Sequence, residues 1–327
     1  MKMERTPIIM CKTDLENLDI YVKRDDLLPF SFGGNKARIA QEFYSDMDIK
    51  GKNCMIGYGN ARSNLSRALA NVNSYRGGVC HIISPTDDDG SRIVTNNSYM
   101  VHACGAHFHE CEKQIVAEAV ESVIQECELN AMKPYYIYGD KFGHGNEAVP
   151  VRAYEKVYRE ILEQEEQMGI RFDYIFLPTG TGMTQSGLLA GKLIARRSNQ
   201  KVIGISVARK SEQEIEVIKN YLDAFSLENQ ILIEEYPEIC VEDDYLSGGY
   251  GKYSDGIKDT IRSMFVCNGI PLDSTYTGKG FYGMLEYLKK NGIKNANILF
   301  IHTGGTPLFF DNIHLLDKAN KKETKVI

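Results

Sequence analysis

Ser31-Phe32-Gly33-Gly34-Asn35-Lys36-Ala37-Arg38 is the stretch on which the reading of this chain turns. It follows Lys23-Arg24-Asp25-Asp26-Leu27 and precedes a helical pattern. Two adjacent glycines let the backbone approach a bulky or planar neighbour with no Cβ in the way. A lysine held at such a turn, against a helix start, is poised rather than merely solvated. When partly desolvated it loses its proton near neutral pH and attacks an aldehyde, so Lys36 is a candidate for Schiff-base chemistry. Alone, Lys36 would read as one more surface lysine. Three further segments change that reading.

Thr179-Gly180-Thr181-Gly182-Met183-Thr184-Gln185-Ser186-Gly187 lies between the apolar run Tyr174–Leu177, which predicts a buried strand, and a helical pattern from Leu188. Such a loop offers N–H groups and hydroxyls to an anion at the positive end of a helix dipole. It is not a Walker loop, because no Gly-Lys-Ser/Thr closes it. Gly57-Tyr58-Gly59-Asn60-Ala61-Arg62-Ser63-Asn64 resembles a dinucleotide fingerprint only superficially. Arg62 occupies the place of the third glycine, and the next strand, Gly78–Ser84, ends without an acid for a ribose. Ser63 and Asn64 instead stand at a helix start, as caps or as ligand contacts. The third segment is a pair: Asp273-Ser274-Thr275-Tyr276-Thr277-Gly278-Lys279 and the strand end His302-Thr303-Gly304-Gly305.

Together these segments resemble the pyridoxal-phosphate enzymes of the tryptophan-synthase-β superfamily, and within it the aminocyclopropane-carboxylate deaminase and D-cysteine desulfhydrase family. The resemblance runs from about Tyr21 to Pro307, with the segments in the family's order. It implies an α/β fold of two open, mainly parallel sheets with flanking helices. A small domain of residues 49–154 would be inserted in a large cofactor-binding domain of residues 1–48 and 155–327. The resemblance also implies a homodimer acting on a small amino acid.

Composition is compatible with this. A chain of 327 residues can build two modest cores. A net charge of −6 argues against a nucleic-acid partner. No apolar run reaches membrane-span length, and Met1–Thr6 does not open a signal peptide. Eight scattered cysteines read as reduced thiols, hence a cytoplasmic setting. The basic run Lys318–Lys325 reads as a frayed tail. His102, Cys104, His107, His109 and Cys111 lie within ten residues. That run reads as a helix end, a Gly105-Ala106 turn and a strand carrying His107 and His109 on one face, so no metal site is expected. Strand and helix alternate throughout, which predicts a mainly parallel architecture. Predicted elements include helices 64–72, 92–103, 115–128, 148–164, 185–196 and 212–222, and strands 135–138, 202–207, 230–235 and 296–302.

By resemblance, Lys36 carries pyridoxal 5'-phosphate and shuttles the proton at the substrate α-carbon. Lys36, Tyr276 and Ser63 form the catalytic set. Asn64 holds the ring's phenolic oxygen, Thr179, Gly180, Thr181, Gly182, Met183 and Thr184 take the phosphate, and Thr277 and Thr303 flank the ring. Arg62, Ser63, Asn64, Tyr276 and Thr303 face the substrate. The deaminase branch has an acid after the tyrosine and Leu at the position of Thr303. Thr277 and Thr303 therefore point to the desulfhydrase branch and to a weaker electron sink. The implied reaction is α,β-elimination with release of ammonia and a 2-keto acid. An aminocyclopropane-carboxylate deaminase, a β-replacement synthase and a non-catalytic cofactor-binding relative are the alternatives. Several positions depart from the family pattern. Ile39 stands for a phosphate-binding lysine, Leu65 for Gln or His, and Arg62 for Gln, and residues 139–146 differ in character. Restoring a lysine at position 39 is expected to be harmless. Arg62, Lys141 or His144 could clamp a carboxylate.

Overall fold

A computed structural model of the chain describes residues 4–87, 90, 92–197, 199–233 and 235–317. The tail 318–325 and Met1–Met3 lie outside these. The chain opens with β1 (Ile8–Met10), β2 (Leu18–Lys23) and, after a 3₁₀ turn at Asp25–Leu27, α1 (Asn35–Ile49). Then follow β3 (Cys54–Tyr58), α2 (Asn64–Arg76), β4 (Val79–Pro85), α3 (Asn96–Ala103), β5 (His107–Cys111), α4 (Val116–Leu129) and β6 (Pro134–Tyr136). The long α5 (Ala148–Met168) leads to β7 (Tyr174–Thr179), α6 (Met183–Ile194), β8 (Lys201–Ser206), α7 (Ser211–Asn229) and β9 (Cys240–Glu242). Last come α8 (Asp255–Asn268), α9 (Thr277–Lys290), β10 (Ala296–Ile301) and α10 (Thr306–Asp311).

These strands make two sheets, one ordered β1-β2-β10-β7-β8-β9 and the other β5-β4-β3-β6. Every pairing is parallel except β1 with β2 at one edge. Helices flank both sheets, as the alternating pattern predicts, because parallel strands need crossovers that cover their faces. Their central strands are correspondingly apolar: β3 and β7 are buried along almost their whole length.

Helix ends follow local chemistry. Ser63 caps α2 by accepting the Ser66 N–H, and Thr95 and Ser98 form a reciprocal capping box at α3. That box starts α3 at Asn96, later than the predicted Arg92. The expected strand 230–235 is overturned. Helix α7 runs on to Asn229, Gln230 turns left-handed (φ 55°), and the described residues after it form no strand. The short β9 pairs with β8 instead. The apolar residues of 230–235 gave a local strand signal, but α7 keeps burying Tyr221, Leu222 and Phe225 and carries the chain past that edge.

Candidate active site

Lys36 is placed by two backbone stitches. The Gly34 N–H donates to the Asp25 carbonyl at 2.7 Å, and the Asn35 N–H to the Thr303 carbonyl at 3.0 Å. Gly34 (φ 92°) and Gly304 (φ 97°) sit back to back. A Cβ on Gly34 would come within 2.7 Å of the Thr303 oxygen, and one on Gly304 within 2.6 Å of the Gly34 Cα. Only glycine fits both positions. The Lys-Arg-Asp-Asp segment supports this turn from behind. Lys23 is fully buried and reaches Glu160 at 2.7 Å and Gln164 at 2.9 Å, while Asp25 accepts from Thr6 at 2.6 Å, Arg38 at 3.1 Å and Tyr154. Arg24 and Asp26 form a two-bonded pair.

The turn delivers the Lys36 amine to a cavity of about 670 Å³ at the carboxyl ends of strands from both sheets. Its Nζ lies 3.5 Å from Thr181 Oγ1 and 4.0 Å from Met183 Sδ. Burial lowers its pKa to about 8, with Glu214 opposing the shift. Facing it is the loop before α6, whose N-cap Gly182 is left-handed (φ 73°). Thr179 donates to Glu214 at 3.0 Å, and Arg209 bridges Glu214 (2.9 Å) and the Gly180 carbonyl (3.0 Å). The Asn35 amide donates to Thr184 Oγ1 at 2.8 Å. The loop is thus braced at the cavity end of α6.

Of the residues singled out in the sequence, Lys36, Arg62, Ser63, Asn64, Thr179, Gly180, Thr181, Gly182, Thr184, Tyr276 and Thr303 all line this cavity. Met183 touches the Lys36 amine but is buried beneath the wall. Thr277 is not brought to the wall, a correction to its expected place beside the ring. Its hydroxyl donates to Asp273 Oδ2 at 2.8 Å and accepts the Asp273 N–H at 2.9 Å, closing the turn that starts α9. Ile39 is fully buried in the core, so the position is not open for a lysine. Lys141 pairs with Glu121 and His144 with Glu147, and neither lines the cavity.

Arg62 is already engaged. Its guanidinium pairs with Asp87, which also accepts from Asn60 at 2.7 Å, and lies 6.0 Å from the Tyr250 ring. The Tyr250 and Tyr276 hydroxyls are hydrogen-bonded to each other. Burial, then Tyr250, raise the Tyr276 pKa well above its ordinary value, so it stays a phenol. The Asn64 side-chain oxygen accepts from Asn97 at 2.9 Å, leaving its amide nitrogen for the cavity.

Sequence reading missed Tyr250, Arg209 and Lys279. Lys279 is fully buried and donates to the carbonyls of Leu246 (2.7 Å) and Gly249 (2.8 Å), holding the Tyr250 loop over the site. Its place in Tyr-Thr-Gly-Lys was visible, but its distant acceptors were not.

The family model described as pyridoxal-phosphate dependent enzyme matches residues 1–304. A Pyrococcus furiosus protein carrying a provisional 1-aminocyclopropane-1-carboxylate deaminase name is 31% identical, over 93% of this chain and 92% of its own. The D-cysteine desulfhydrase of Serratia proteamaculans is 27% identical, over 91% and 90%. The crystal structure of an ACC deaminase homologue superposes with a TM-score of 0.81 at 28% identity, covering 96% of this chain and 93% of that one.

Proposed function

The chain belongs to the family of pyridoxal-phosphate dependent enzymes, and we propose that within it the protein is a lyase of the D-cysteine desulfhydrase kind. It eliminates a β-substituent, which leaves with its bonding electrons, from a small amino acid, and one water hydrolyses the resulting enamine to ammonia and a 2-keto acid. The observation that carries this choice is the charge of the cavity wall. Asp87 is its only carboxylate among the described residues, and Arg62 and Asn60 hold it. Thr303 offers a neutral hydroxyl where the deaminase branch has Leu, and Thr277, where that branch has an acid, is tied to Asp273. A carboxylate partner would keep the ring nitrogen protonated and the electron sink strong. Without one, the reaction is best served by a β-leaving group that carries the electrons away.

The donor set suits the cofactor. A lysine with a lowered pKa faces a hydroxyl-bearing loop at the start of a helix, which is what an aldehyde and a phosphate on one small molecule require. When bound, pyridoxal phosphate supplies a conjugated ring that draws electrons from the substrate α-carbon. Lys36 Nζ would hold the aldehyde end of the cofactor and, when released from it, would carry the proton at the substrate α-carbon. The loop 180–184 would take the phosphate through N–H groups and the Thr181 and Thr184 hydroxyls, with Arg209, itself paired with Glu214, bracing the loop at the Gly180 carbonyl. Asn64 Nδ2 would hold the phenolic oxygen. Ser63 and the first N–H groups of α2 orient the substrate carboxylate, which lets Leu65 be apolar. Tyr276, kept protonated and steadied by Tyr250, covers the reacting carbons and donates a proton to the departing group.

The division into 1–48 with 155–327 and an inserted 49–154 is part of the same proposal. The four-stranded sheet lies wholly within 49–154 and the six-stranded one wholly outside it, although the boundary cuts α5. The homodimer and the cytoplasmic setting are proposed likewise. All eight cysteines are unpaired, and no described helix is long and apolar enough to cross a membrane.

The test is turnover of D- and L-cysteine, β-chloro-alanine and aminocyclopropane carboxylate, with sulfide, ammonia and keto acid measured together. Elimination should far outrun ring opening. Ring opening without elimination would return the deaminase reading. Cofactor binding without any turnover would return the non-catalytic one.

A further inference from the structure

Strand alternation and the parallel register place Cys54, His81, His107 and His109 on one face of the four-stranded sheet. Cys54 is level with Val79, His81 with Ile56 and His107, and His109 with Ile83. Helix α4 covers that face with Val120, Val123 and Cys127, an i, i+3, i+7 stripe. Cys54 and Cys127 are fully buried with their sulfurs 3.4 Å apart, and His81 is 2% exposed. A ring nitrogen of His81 and the two sulfurs all lie within 4.8 Å of one another.

The hydrogen bonding of His81 is half complete. Its Nδ1 meets His109 Nε2 at 2.9 Å, whereas its Nε2 is buried with no partner. Buried polar atoms are ordinarily satisfied, so this orphan calls for a ligand. His109, the partner of His81 Nδ1, has Glu126 nearby, with ligand atoms of all three within 4.8 Å of one another, so a polar group stands behind the imidazole as behind metal-binding histidines. The two sulfurs are too far apart for a disulfide, which needs about 2.05 Å. Two sulfurs on one ion at about 2.3 Å each would lie roughly 3.8 Å apart, a few tenths of an ångström from what is observed.

We propose that Cys54, His81 and Cys127 form a binding site for a thiophilic metal ion, zinc or monovalent copper. The site pins α4 to the sheet and stands apart from the cavity, which none of the three residues lines. Two thiols and an imidazole are the ligands such ions prefer, and zinc would take a further ligand in its fourth position. The reading is independent of the proposed lyase activity.

The experiment uses the full chain with its cofactor bound. Elemental analysis should find about one zinc or copper ion per chain, removable by chelator. Cobalt(II) added to the chelated protein should give a thiolate charge-transfer band in the difference spectrum. Cys127→Ser should abolish the band and His102→Ala should leave it. His109→Ala should weaken cobalt affinity roughly 10- to 100-fold. Competition between zinc and monovalent copper then identifies the preferred ion. If Cys127→Ser does not fold, a rise in the wild-type melting temperature when zinc replaces chelator supports the site and an unchanged one opposes it. A wild type that gives no thiolate band, a band that survives Cys127→Ser, or a Cys54–Cys127 disulfide in freshly isolated protein overturns the proposal.

Discussion

Lys36 sets the pH at which the protein captures its cofactor. Burial lowers its pKa to about 8, so the reactive neutral amine is gained at lower pH than for an ordinary lysine. The rate at which cofactor-free protein takes up pyridoxal phosphate should rise through about pH 8 and then level, where a lysine near 10.4 would still be climbing. Borohydride should fix the label in the peptide containing Lys36. Lys36→Met should abolish capture without lowering the stability of the cofactor-free protein, because it removes a desolvated charge; calorimetry checks this. Arg62 makes a different kind of contribution. It neutralises Asp87 at the cavity wall, so Arg62→Ala leaves a carboxylate facing the substrate's own. KM should rise roughly tenfold, about 1.4 kcal/mol of lost binding, with a smaller change in kcat.

At the scale of elements, the segments that mark the family are largely props. Burial alone would raise the Asp25 pKa, but Arg38, Lys23, Thr6 and Tyr154 outweigh it and hold it below the ordinary value. A depressed carboxylate gives stability that is present above the unfolded pKa, near 3.9, and is lost as pH falls through the folded value. Asp25 thus contributes fully at neutral pH and fails only in strong acid. Asp25→Ala would leave Lys23 and Arg38 short of counter-charge, at a cost of about 3–5 kcal/mol in chemical denaturation. Ile39→Lys, expected from sequence to be harmless, should cost roughly 2–4 kcal/mol because it buries a charge in the core. Thr181→Ala should loosen cofactor retention on dialysis. It tests the loop more cleanly than Thr184→Ala, which also strips Asn35 of its acceptor.

For the whole molecule, the cavity joins the carboxyl ends of both sheets, so a ligand there holds the two together. Cofactor at a hundred times its Kd should stabilise the protein by about 2.7 kcal/mol, read as a higher melting temperature than for the cofactor-free form. The chain is acidic, yet among the described residues the cavity wall carries five basic side chains, of which Arg209 is paired with Glu214, and Asp87 as its only carboxylate. Capture of the anionic cofactor should therefore slow as salt is added, measurable by stopped flow.

Strand–helix alternation carried the parallel α/β architecture, the family resemblance carried the cofactor, and the sequence singled out many of the residues that line the cavity. Those rest on strand–helix alternation and on loops such as Ser31–Arg38 and Thr179–Gly187, whose chemistry is local. Tertiary structure decided what depends on partners distant in the chain. It closed Arg62 onto Asp87 and hung the Tyr250 loop from Lys279. It also brought Cys54, His81 and Cys127 together from three separate elements. No spacing in the sequence encodes such contacts, because strand register and helix packing create them only when the chain has folded.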